Sequence, residues 1–399
     1  MTAQDYFAPF RRLMPAAEKY IYLNSAGCGP LPKPVWEGME SVFQRMYEEG
    51  QIKVEIHDWL FDLLEEARRD IARFIHASEE EIFFVRCIAE GLNTVDYMLD
   101  LKKGDCVVVS DQENPASLLP FFAAEKSRGF HTEKFHAKGT YEELIENFDN
   151  ALTSSVKLAV FSHVLHALGT RMPAREMCEA ARKKGVLTAI DGAQAAGNGE
   201  INVKEIGCDF YVISCHKWLC GPEGIAAVYV KKELIPELRV PFGGVGMQEA
   251  FELSTNEIQL RSTARRFEYG GKHIPMYTAF SGTIRFAEKI GLEKITQRQK
   301  ELNQYCRSQF EQKIPEAEIL SPSDERLMTG IFAFTIPGID HRDLVKRAWN
   351  DEKMILQYRT IDLYTKAEGI RISNNWFVKE EELDKMTSFV RRYVDEACL

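Results

Sequence analysis

Val186-Leu187-Thr188-Ala189-Ile190-Asp191-Gly192-Ala193-Gln194 is a short apolar run that ends in an acid and a small-residue turn. A buried parallel strand has this look when it delivers a polar group to its carboxyl end. Asp209-Phe210-Tyr211-Val212-Ile213-Ser214-Cys215-His216-Lys217-Trp218-Leu219 is a second such strand, closed by Gly221-Pro222-Glu223-Gly224. It delivers Ser214, His216 and Lys217. If the two strands are neighbours, a carboxylate and an amine meet at the rim where open α/β sheets bind ligands.

An acid and a lysine brought together in this way suit pyridoxal 5′-phosphate. The lysine forms an imine, the acid keeps the pyridine nitrogen protonated, and small hydroxyl or imidazole donors hold the phosphate. Either residue alone reads as a solvated lysine or an ordinary strand-end aspartate. The full set, Asp-Gly-Ala-Gln after one strand and Ser-Cys-His-Lys after the next, resembles the class V aminotransferase family, which includes cysteine desulfurases, selenocysteine lyases, cystine C–S lyases and isopenicillin N epimerase-like enzymes. The resemblance implies that Lys217 is the Schiff-base lysine and that Asp191 pairs with the pyridine nitrogen. It places Gln194 near the phenolic oxygen, and Ser214 and His216 on the phosphate.

Composition bounds the rest. With 399 residues, 45% hydrophobic and 28% charged, the chain can bury two cores. The formal net charge of -10 argues against a general nucleic-acid or anionic-membrane surface. No apolar stretch approaches the roughly 20 residues of a membrane span, and Met1 to Phe7 lacks the features of a signal peptide. A cytoplasmic protein is expected. The nine cysteines are scattered, with no zinc-like spacing, so reduced thiols and no metal are expected.

Taken in order, residues 1–30 read as a segment whose Gly/Pro loop, Asn24 to Pro32, resembles the family's approach to the substrate side of the site. Residues 31–280 form the expected large cofactor-binding domain and 281–399 a smaller α+β domain. Pro34 to Gln51 and Asp58 to His76 read as helices; the second carries a core stripe of Trp59, Leu60, Leu63, Leu64, Ala67, Ile71 and Phe74. Ile82 to Val85 is a strand, and the following turn opens a helix whose free N–H groups can hold phosphate. The family's Thr-Glu-Gly/Ala-Leu/Ile-Asn is matched there by Ala89-Glu90-Gly91-Leu92-Asn93, so backbone contacts from Ala89 and Glu90 are implied, without the threonine hydroxyl.

Cys106 to Ser110 is another strand. In the following turn the family carries a histidine or another aromatic on the pyridine ring, and here Asn114 stands in that position. An amide packs flat over a ring but substitutes poorly for histidine as an acid or base, which weakens a desulfurase reading. His166, after the strand from Val156, stands where the family often has Asn by the phenolic oxygen. Residues 240–263 read as loop-rich. Arg265-Arg266-Phe267-Glu268-Tyr269-Gly270-Gly271 resembles a family segment that reaches the neighbouring subunit's phosphate, with Gly271 in place of threonine; a homodimer is implied. Gly330 to Ile336 reads as an edge-like strand. Beyond it, Arg371 in Arg-Ile-Ser matches the family's carboxylate clamp, with Arg359 a second, looser match; guanidinium forks suit carboxylates.

Gly330 to Ile372 contains no cysteine, whereas desulfurases place a nucleophilic thiol on a loop in that region. The sequence therefore points to a dimeric fold type I pyridoxal-phosphate enzyme with a mostly parallel central sheet. It acts on an amino acid through an external aldimine, with β-elimination, as in C–S cleavage of a cysteine conjugate, as the leading outcome. Aminotransfer or epimerisation is the alternative within the family. A catalytically silent scaffold or sulfur-transfer partner is the alternative from another class, and a nucleotide-binding protein is disfavoured by the missing glycine-rich loops.

Overall fold

The apolar runs read from the sequence form one sheet, and the order of its strands puts their polar ends together. The computed structural model describes residues 3–362 and 365–397. The outermost residues of the 1–30 and 281–399 segments, and Cys398, lie outside the described residues. The central strands are β1 (Ile82–Val85), β2 (Cys106–Ser110), β3 (His131–Phe135), β4 (Val156–Ser162), β5 (Leu187–Asp191), β6 (Phe210–Ser214) and β7 (Ala226–Val230). Their order across the sheet is β1-β7-β6-β5-β4-β2-β3. Strands β3, β2, β4, β5 and β6 pair in parallel, while β7 runs antiparallel to both β6 and β1. Ser110, Ser162, Asp191 and Ser214 therefore end on one edge.

Successive residues of these strands enter different cores. Phe84, Val108, Phe161, Ile190 and Tyr211 join one apolar cluster, and Phe83, Val107, Val160, Ala189 and Val212 the other. Both faces of the sheet are covered, which is why the strands read as continuous apolar runs. Each fully buried valine, isoleucine or phenylalanine among them contributes about 1.5–3 kcal/mol. Helices α1 (Lys33–Glu49) and α2 (Val54–Phe74) pack against α6 (Ile274–Ile290); α3 (Ile88–Met98), α4 (Pro115–Arg128) and α5 (Ala174–Lys183) are crossovers. In the α2 stripe Leu60, Leu64, Ala67, Ile71 and Phe74 are buried, and Trp59 and Leu63 lie partly buried beside them. Gly185 takes φ +70 just past α5, the left-handed turn that ends the helix.

The region 240–263, expected as loop, contains an exposed hairpin of β8 (Gln248–Glu252) and β9 (Glu257–Leu260). Its strands bury almost nothing, so their apolar pattern is weak. The expected boundary near residue 280 falls inside α6, which leads directly into α7 (Leu292–Lys313). A second sheet then has the order β10 (Glu318–Ile319), β11 (Ile331–Thr335), β13 (Ala367–Ser373), β12 (Gln357–Asp362). Strand β11 was expected at an edge, but it pairs on both sides, with β10 and β13. Its Ile331 to Phe334 are all buried, as an interior position requires. Helix α8 (Glu380–Ala397) closes the chain.

Candidate active site

Asp191 is the last residue of β5, and its carboxylate is held at both oxygens. Ser117 Oγ donates to Oδ2 at 2.7 Å and the Ala193 N–H donates to Oδ1 at 2.8 Å. The second bond is the turn that Gly192 and Ala193 make directly after the strand. Asp191 registers with Ser162 on one side and Val212 on the other, so the strand bearing Lys217 is its neighbour, as the sequence suggested. Lys217 follows β6 in a half-buried turn, and its ammonium is pushed down to about 8. Burial is the main cause; Asp191 opposes it, and Arg371 and Arg359 add repulsion. A lysine tuned in this way has a substantial neutral, nucleophilic fraction near neutrality.

The neighbouring donors are poised and unused. Ser214 Oγ and His216 Nδ1 are buried polar atoms without a partner among the described residues. Buried polar groups are normally paired, so two unpartnered donors flanking a tuned lysine fit a phosphate-bearing ligand. His216 is pushed down to about 4 by burial and then by Lys217, so it is neutral. Helix α3 supplies further donors: its first intrahelical bond runs from Gly91 N–H to the Cys87 carbonyl at 3.1 Å, leaving Ala89 and Glu90 N–H outside that ladder. The Glu90 carboxylate is engaged by the Arg86 N–H at 2.6 Å and the Tyr269 hydroxyl at 3.2 Å, so its contribution to an anion is through backbone.

Asn114 caps α4, its Oδ1 accepting from Ala116 N–H at 2.9 Å. Gln194 is used structurally: Nε2 donates to the Ala26 carbonyl at 2.9 Å, and Oε1 accepts from Trp218 Nε1 at 2.8 Å. Gln194 thus ties the N-terminal segment to the lysine turn. That segment is held again by Gly29 N–H to the His216 carbonyl at 2.7 Å and by Ala26 N–H to Ser373 Oγ at 2.9 Å. Gly271 is exposed, and a Cβ there would meet nothing within 4 Å. The adjoining Glu268 is pinned by Arg68 at 2.7 Å and by Phe84 N–H at 2.9 Å.

On β13 of the second sheet, Arg371 is fully buried without a carboxylate partner among the described residues. Its Nη1 donates to the His166 carbonyl at 2.8 Å and its Nη2 to Asn24 Oδ1 at 3.0 Å, while Nε has no partner. Burial and the nearby Arg359 push this guanidinium down. Arg359 is half-buried and its Nε is likewise unpartnered. His166 Nδ1 is another buried orphan, and burial together with the Arg359, Arg371 and Lys217 charges keeps the ring neutral.

Two residues escaped the sequence reading. Ser117 was one serine in a helix, with no local signal. Glu113 is entirely buried, accepting from Ser110 Oγ at 2.7 Å, from the Ser162 N–H at 2.7 Å and from Ser162 Oγ. Burial pushes its carboxyl up to about 7; Asp191 adds to the rise and the serine donors oppose it.

An α/β sheet that gathers a tuned lysine, a fixed aspartate and unpaired anion donors at one edge defines a fold type I pyridoxal-phosphate enzyme. The chain belongs to the aminotransferase class V family, whose model matches residues 21–384. It is 31% identical over 328 residues to a cysteine desulfurase of Salmonella newport, covering 79% of this chain and 77% of that one. A solved apo cysteine desulfurase from Thermococcus onnurineus NA1 superposes with a TM-score of 0.88 at 26% identity, covering 98% of both chains. The same fold, at 21% identity and a TM-score of 0.86, is seen in the cystine C–S lyase C-DES, covering 95% of this chain and 99% of that one. This chain is thus a pyridoxal-phosphate-dependent enzyme of class V, which sets the silent-scaffold alternative aside.

Proposed function

We propose that this enzyme is a C–S lyase that eliminates the sulfur substituent of a cysteine conjugate or of cystine. The observation that carries the reading is the make-up of the substrate wall: Arg371 and Arg359, two guanidiniums whose Nε atoms are unpartnered and which have no carboxylate partner among the described residues, and no cysteine from Gly330 to Ile372. The first fits an amino-acid carboxylate. The second leaves no thiol on that stretch to accept sulfur, so sulfur departs with the product. The cysteine desulfurase relatives and the C–S lyase of the same fold support this class of substrate.

In this reading Asp191 faces the pyridine nitrogen, Ser214, His216 and the Ala89 and Glu90 N–H groups hold phosphate, and Asn114, His166 and Gln194 border the ring. Bound pyridoxal phosphate supplies the electron sink that acidifies the substrate's α-hydrogen. Arg371 fixes the substrate carboxylate, with Arg359 beside it. Lys217, neutral in part near pH 7, takes the α-proton. His166 is uncharged and so leaves the guanidiniums free to bind an anion. The large domain (31–280) carries the cofactor groups and the small domain (281–399) the guanidiniums. The enzyme works as a cytoplasmic homodimer in which Gly271 approaches the second subunit's phosphate site; Phe251, Leu253, Tyr47, Ile52 and Val54 are exposed apolar residues that a second copy would cover.

The test is an absorbance spectrum of wild type and Lys217→Ala, with pyruvate and ammonia assayed after adding cystine or a cysteine S-conjugate. A visible band and pyruvate release in the wild type only is the expected result. Passage of the amino group to an added 2-oxo acid without pyruvate would replace elimination by aminotransfer, and a colourless, unreconstitutable wild type would overturn the reading.

A further inference from the structure

The strand that carries Arg359 is tied to the large domain through one carboxylate. Asp362 ends β12 and is buried. Lys138, from the loop after β3, forms an ion pair with its Oδ2. Gln112 Nε2 donates to Oδ1 at 3.4 Å, and the Thr365 N–H donates to the same oxygen at 3.2 Å. Gln112 is buried in the turn that also bears Glu113 and Asn114. The His166 carbonyl, on the same rim, accepts from Arg371. Arg359, three residues before Asp362 on the same strand, therefore hangs on these contacts with the large domain.

We propose that Lys138, Asp362 and Gln112 form an interdomain clasp that positions Arg359 for the substrate's anionic group. The inference rests on the reading of Arg359 as a substrate residue. An ordinary surface ion pair contributes little, about 0–1 kcal/mol. This one differs because its acid is buried: removing the amine takes the balancing ammonium from a buried carboxylate, and outward movement of the end of β12 relieves that cost. Among the described residues strand β12 pairs only with β13 in its sheet, which leaves its outer side without a ladder partner there. Outward movement carries Arg359 with it. Lys138, Asp362 and Gln112 are positioning residues, acting on the substrate through Arg359.

The test uses the full-length holoenzyme with Lys138→Met and Lys138→Arg. Lys138 is partly exposed, with a side-chain exposure of 35%, so neither substitution disturbs the core. Amide hydrogen exchange over Gln357–Asp362 reads the clasp without any dependence on turnover. The expected result is about tenfold faster exchange in Lys138→Met and a near wild-type rate in Lys138→Arg. Steady-state kinetics with cystine should show KM raised about tenfold in Lys138→Met, kcat within about twofold, an unchanged cofactor band, and recovery in Lys138→Arg. Unchanged exchange in Lys138→Met overturns the clasp, and so does faster exchange with an unchanged KM. If wild type turns over no cystine, the lyase reading fails on that result while the exchange rates alone decide the clasp.

Discussion

Ser117 Oγ donates to Asp191 Oδ2 at 2.7 Å, a contact between the first turn of α4 and the end of β5. With Ala193 N–H on the other oxygen, each carboxylate oxygen has one fixed donor and the plane of the group is set. A hydrogen bond to a charged group is worth about 1.5–3 kcal/mol. Ser117→Ala should therefore weaken cofactor binding about tenfold or more while leaving the fold intact. Equilibrium dialysis of the variant against pyridoxal phosphate checks this; wild-type retention would show that the turn alone orients Asp191.

Lys217 sets a pH dependence. Its folded value of about 8 lies below the usual 10.5 for lysine, chiefly through burial. The neutral amine is the nucleophile, so incorporation of pyridoxal phosphate into the apoprotein should accelerate as pH rises from 6 and level off above about 8. The rate is followed by absorbance after mixing. A rate still climbing steeply at pH 10 would mean the lysine is not depressed.

Much of this site was legible because its chemistry sits at strand ends. Asp191 and Lys217 follow apolar runs, and a run that must be buried on both faces leaves only its terminus to be polar. Arg371 was singled out by its place in Arg-Ile-Ser, and the structure buries it with its Nη1 on the His166 carbonyl. Ser117 and Glu113 were not, because their partners, Asp191 and Ser162, come from other strands and meet them only once β2, β4 and β5 lie side by side. The hairpin of β8 and β9 was missed for the opposite reason: it lies exposed, so no core face imposes an alternating pattern. Strand β11 looked like an edge because its residues alternate, but the small and polar members of that pattern are covered once β10 and β13 pair on either side.

Arg371 should trade stability for function. A buried guanidinium with no carboxylate costs folding energy that an apolar side chain of similar length does not. Arg371→Met is expected to raise the melting temperature of the apoprotein by a few degrees. The same change should raise KM for an amino-acid substrate about a hundredfold, with the cofactor band intact. Differential scanning calorimetry and steady-state kinetics test the two halves. A lowered melting temperature would show that the bonds to the His166 carbonyl and Asn24 outweigh the burial cost.

Glu113 gives a stability signature of opposite sign to that of most paired carboxylates. Its folded value of about 7 stands above the ordinary 4.5, because burial and Asp191 disfavour the charge more than the serine donors favour it. Between those two values the folded chain binds more protons than the unfolded one, so this group's contribution is fully present below about pH 4.5 and is lost as pH rises through 7. The loss is on the order of 1–3 kcal/mol. Glutamine cannot ionise and keeps a carbonyl acceptor for the donors from Ser110 and Ser162. Urea midpoints of the apoprotein at pH 5 and pH 8 should therefore fall more in wild type than in Glu113→Gln, since slopes from all other groups cancel in the comparison. Parallel midpoints would show that Glu113 is as readily ionised in the folded chain as in the unfolded one, and that Ser110 and Ser162 fully offset its burial.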